Sequence, residues 1–106
     1  MTQANIRRVI VNGTEVDREF DLNHQEQFLV ETDTGNKYRV VCDGPAVGTP
    51  SDWDVLGDAD SVPVGRVHLL GAGSPGATTY RLKRAKAWFA GGKQMDLWNA
   101  VQSLLD

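Results

Sequence analysis

Gln27-Phe-Leu-Val-Glu-Thr32 and Lys37-Tyr-Arg-Val-Val-Cys42, joined by Asp33-Thr-Gly-Asn36, decide the fold. Both runs are rich in β-branched and aromatic side chains, and every residue of the joining segment suits a turn. The pattern predicts an antiparallel hairpin. On its second strand, strand alternation puts Tyr38, Val40 and Cys42 on one face and Lys37, Arg39 and Val41 on the other. Cys42 is therefore expected to face the core, where a thiol behaves as a small apolar group.

Upstream, residues 5–11 (NIRRVIV) read as a first strand, and Asn12-Gly13 tolerates the positive φ of a tight turn. Residues 14–20 then alternate, with Val16 and Phe20 on one side and the acids Glu15, Asp17 and Glu19 on the other. Downstream, residues 44–76 hold all four prolines and seven of the eleven glycines. That composition predicts loop, with a long Gly/Pro-rich loop from Gly44 to Ser61 and one strand at Val62–Leu70. Residues 77–90 favour strand through Arg84 and are open beyond it. Residues 94–105 carry Leu97, Trp98, Val101, Leu104 and Leu105 on one helical stripe, with Asp96 complementing the positive end of the helix dipole.

An amphipathic helix must cover something, and the sheet is the available surface. The expected architecture is α+β. A small antiparallel sheet, or a partly open barrel of about five strands, is packed by one C-terminal helix (about 94–105) in a single domain spanning 1–106. At 106 residues and 11.6 kDa the chain suits one core of its own. With 41% hydrophobic and 24% charged residues it is globular in composition. No apolar run approaches the ~20 residues of a membrane-spanning helix, and the first residues lack a signal-peptide layout. The one cysteine excludes an internal disulfide and a multi-thiolate zinc site, and a cytoplasmic location is expected.

Charge is uneven. Residues 1–60 carry 12 acidic and 5 basic side chains, residues 61–106 carry 2 acidic and 6 basic, and the whole chain is at −3. Asp52, Asp54, Asp58 and Asp60 crowd around Trp53 in one stretch. As a calcium loop the stretch fails, because Leu56 and Pro63 stand where oxygen ligands are required. As an acidic loop with an aromatic anchor it suits a protein partner of basic character. Arg81, Lys83, Arg84 and Lys86, flanked by Tyr80, Trp88 and Phe89, are the basic cluster that a nucleic acid would use. The sequence pI of about 5.2 works against that use. Gly71-Ala-Gly-Ser-Pro-Gly76 matches a dinucleotide-binding fingerprint, but antiparallel hairpins precede it and only thirty residues follow. Cys42, His24 and His68 are the candidate nucleophile and bases, and none sits in a telling motif.

The function expected from these residues is that of a small interaction module without catalytic activity, metal or cofactor. It would dock another protein, or a second copy of itself, through Asp52, Trp53, Asp54, Asp58 and Asp60. Two alternatives stand beside it: nucleic-acid binding through Arg81, Lys83, Arg84 and Lys86, and a nucleotide or small molecule, bound or transformed, at the 71–76 loop.

Overall fold

A computed structural model describes residues 5–43, 50–72, 74, 79–84, 87–90 and 96–105, the last strand by its backbone alone. Eight strands follow one another: β1 (Ile6–Val11), β2 (Thr14–Val16), β3 (Gln27–Thr32), β4 (Lys37–Cys42), β5 (Asp52–Gly57), β6 (Pro63–Leu69), β7 (Tyr80–Arg84) and β8 (Ala87–Ala90). One helix, α1 (Leu97–Leu104), follows them. The strands form a single antiparallel sheet in the order β2-β1-β3-β4-β5-β6-β7-β8, and no pairing among the described residues joins β2 to β8. The α+β class and the open antiparallel sheet agree with the sequence. The count of about five strands does not.

Two of the differences have local causes. Asp52–Gly57 falls within the expected loop, since Asp and Gly are poor strand formers, yet it is a strand in the middle of the sheet, between β4 and β6. Its aspartates stand on the outer face, where strand packing does not oppose them. The second strand stops at Val16, because Asp17 turns the chain: its side chain accepts from Glu19 N and its carbonyl from Phe20 N. Phe20, expected on the sheet face, is 40% exposed. The segment 77–90 resolves into strands as far as it is described, with β7 running to Arg84.

The inner face builds the core. Register aligns Val9 with Val30, Val30 with Tyr38, Val40 with Val55, Trp53 with Val67 and Val67 with Leu82. All of these except Tyr38 are buried. They join Leu97, Ala100, Val101, Leu104 and Leu105 in one cluster. The helix packs on β6 and β7, and its Gln102 also accepts from Ile6 N of β1. In the sheet β1 and β6 are four strand spacings apart, about 19 Å, against a helix diameter of about 10 Å. A helix that touches both requires the sheet to curl around it.

Local chemistry fixes the helix ends. Asp96 is the N-cap, with extended backbone and its carboxylate accepting from Asn99 N at 2.9 Å. The expected start at Gln94 lies outside the described residues. At the other end, the Arg84 guanidinium donates to the carbonyls of Ser103 and Leu104 at 3.3 and 3.1 Å. A cation there meets unpaired carbonyls and the negative end of the dipole. Among the described residues no helix is long and apolar enough to cross a membrane.

Helix and sheet come close together at Gly65. A Cβ there would stand 2.6 Å from the Lys83 carbonyl and 3.1 Å from a Leu104 methyl. We expect Gly65→Val to lower the unfolding free energy by about 1–3 kcal/mol, as overpacking does. Urea denaturation of the two proteins checks this.

Candidate functional site

Because the inner face is filled, the sequence-predicted residues are sorted by strand alternation. Trp53 falls on the inner face and is fully buried, its ring 6.4 Å from that of Tyr80. It is core, not an exposed anchor for a partner, because Asp52 and Asp54 on either side take the outward positions. Its indole N–H finds no acceptor among the described residues. Asp58 and Asp60 lie beyond the strand, in the turn from β5 to β6. The Asp60 carboxylate accepts from Val62 N at 3.0 Å, which ties it to the turn. A Cβ at Gly57 would meet the Asp60 carboxylate, which would have to shift. The acidic loop is therefore two separate things, an outward pair on a strand and a self-bonded turn.

The basic cluster divides in the same way. Arg81 and Lys83 face outward, whereas Arg84 faces inward and holds the end of α1. Lys86 lies outside the described residues. Tyr80 is buried, and its hydroxyl accepts from Asn23 Nδ2, so it offers no stacking surface. Burial pushes the Tyr80 phenol up from its ordinary value.

The glycine fingerprint falls in the connection between antiparallel β6 and β7. Leu70 N donates to Thr79 O across it, Ser74 N donates to Gly71 O, and Gly71 takes φ +68°. The chain returns as antiparallel β7, so the strand–loop–helix context of a dinucleotide site is missing. Gly73, Pro75 and Gly76 lie outside the described residues. Cys42 packs against the core from the inner face, and burial raises its thiol above the ordinary range. His68 stands on the outer face, so the sheet separates the two.

What the fold assembles is an ordered outer face. Asp54 lies opposite Arg66, and Arg66 opposite Lys83; one step along, Asp52 lies opposite His68, and His68 opposite Arg81. An acidic column on β5 thus adjoins two basic columns on β6 and β7. Arg66 binds Asp43 directly and reaches Asp52 at 3.6 Å and Asp54 at 3.5 Å. His68 Nδ1 is 3.0 Å from Asp52 Oδ1, and Ser51 Oγ donates to Asp52 Oδ2 at 2.9 Å. The carboxylates offered to a basic partner are already engaged within the face.

Partial burial opposes ionisation of Asp52, but the hydrogen bonds from His68 and Ser51 and the nearby charges of His68 and Arg66 prevail. They hold its carboxyl below the ordinary range. Across the sheet, Arg8 donates to Glu31 at 2.8 Å and lowers that carboxyl as well.

A cleft of about 480 Å3 lies elsewhere, between residues 18–23 and the start of α1. Arg18 crosses it, 4.9 Å from the Trp98 ring centre and donating to Asn99 Oδ1. Sequence reading missed this cleft, because its two walls are far apart along the chain and neither carries a motif. No protein-family model, curated protein or solved structure matches the chain.

A carboxyl with a depressed folded pKa stabilises fully above its unfolded pKa, about 4, and that stabilisation is lost as pH falls through the folded value. Asp52→Asn should therefore flatten the acid limb of the stability–pH curve below about pH 4. Thermal melts of both proteins across that range check this, and an unchanged limb would refute it.

Proposed function

We propose that the chain is a protein-interaction module without catalytic activity, docking through the outer face of β5, β6 and β7. One observation carries this: Asp52/Asp54, Arg66/His68 and Arg81/Lys83 stand in parallel columns on three adjacent strands, on the face that core packing does not use. Such an arrangement specifies both register and orientation for a complementary surface. Charge of this kind sets encounter and specificity more than raw affinity. The half-buried single thiol suits a reducing compartment, and we place the role in the cytoplasm. The partner is another protein; a second copy would also satisfy the columns if turned so that β5 of one lay over β7 of the other.

Crosslinking in native cells, read by mass spectrometry, tests the reading with wild type and with Arg81→Glu plus Lys83→Glu. Wild type should give crosslinks mapping to β5–β7. The double variant, with circular dichroism unchanged, should lose about tenfold or more of them, the scale of a disrupted charged contact. Equal recovery, or crosslinks confined to another surface, would remove the reading.

A further inference from the structure

We infer that the cleft beside the start of α1 is a binding site for a small organic amine, protonated and carried on an apolar stem. The cleft shares no residue with the β5–β7 face, so either reading can fail without the other. At about 480 Å3 it falls in the range of small-molecule sites, about 300–1,000 Å3. Both walls are pinned to the core. Leu22 is buried and Asn23 Nδ2 donates to the Tyr80 hydroxyl at 3.0 Å, which holds one wall; buried Leu97 holds the other.

The cleft already seats a cation, its own Arg18. The guanidinium lies 4.9 Å from the Trp98 ring centre, donates to Asn99 Oδ1 at 2.6 Å and stands 3.7 Å from Asp96 Oδ1. This tethered group shows which charge the walls favour, and one guanidinium does not exhaust them. Glu19, Asp21 and Asp96 all line the cleft. Three carboxylates outweigh Arg18 and the roughly half positive charge of a helix N-terminus. They still do when His24, which is bound to Asp21, is protonated. An anion is therefore the wrong ligand.

Subtracting the internal bonds leaves acceptors. Asp21 is engaged by Asn23 N and by His24. Asp96 Oδ1 takes Asn99 N and Arg18, but Oδ2 takes no bond among the described residues. The Glu19 carboxylate takes none there either, and Asn23, whose amide N–H serves Tyr80, keeps its amide oxygen. A primary ammonium carries three N–H donors and no acceptor, which suits that remainder. Phe20 is 40% exposed and stands outside the core cluster. Its ring supplies an aromatic face for the charge and apolar surface for the stem.

The probe is hexylamine, cationic at about pH 7 as a lysine side chain is. It is titrated into isotope-labelled protein and followed by NMR. Hexanol and hexanoate, with similar stems and a neutral or negative head, are the controls. An acetylated Gly-Lys-Gly amide presents the same head on a peptide. Hexylamine should saturably shift the amides of residues 18–23 and 97–98 and the Trp98 indole, and bind about tenfold more tightly than either control. Glu19→Gln and Phe20→Ala should each weaken it about threefold or more, and neither change touches the core. No saturable shift, shifts centred on another surface, equal binding of hexanol or hexanoate, or an affinity that either variant leaves unchanged overturns the inference. Tighter binding of the lysine peptide also overturns it, because the ligand would then be a protein side chain.

Discussion

The seating of α1 inside the curled sheet is the constraint on which everything else depends. Leu97, Val101, Leu104 and Leu105 are almost entirely buried. Burying each side chain of that size contributes about 1.5–3 kcal/mol relative to exposure. Polar contacts then fix the orientation that burial alone leaves open. Gln102 reaches the β1 backbone, Arg84 holds the last carbonyls, and Arg18 grips the first turn through Asn99 and the Trp98 ring. Gly65 lets the helix come close enough for Leu104 to fill the space above β6. The helix is short, about 12 Å at 1.5 Å per residue, and would be marginal alone in water. It persists because the sheet closes around it.

That seating decides where function can be. The described residues of the inner face are committed to packing, and a strand offers its other residues only to the opposite side. Asp52, Asp54, Arg66, Arg81 and Lys83, outward on β5–β7, are charged, and they are arranged by register rather than scattered. Arg66 organises them: three carboxylates converge on its guanidinium, and its strand neighbour His68 takes one of the same three. Exposed pairs of this kind contribute little to stability, typically below about 1 kcal/mol. Their consequence is positional, since they hold the cations of β6 at a set distance from the edge of the acidic column.

The hairpin at 27–42 and the C-terminal helix were legible because hydrophobic period and turn chemistry agreed there. Residues 52–57 were not. Asp52, Asp54 and Gly57 argue locally against a strand, and only pairing on both sides makes one. The same error misplaced Trp53. Once Asp-Trp-Asp is a strand rather than a loop, alternation sends the ring inward and the acids outward. Arg84 shows the converse: it read as a member of a basic cluster, but its strand position makes it the cap of a helix that comes much later in the chain. The outer columns could not be seen in sequence at all, because Asp54, Arg66 and Lys83 become neighbours only through register.

Native-state amide exchange by NMR tests the seating of the helix most directly. With α1 held inside the curl, the amides of Val101 and Leu104 exchange only through global unfolding, with the same free energy and urea dependence as those of Val67 and Leu82. Exchange of the helix amides through a separate low-energy opening, while β6 and β7 stay protected, would contradict the account.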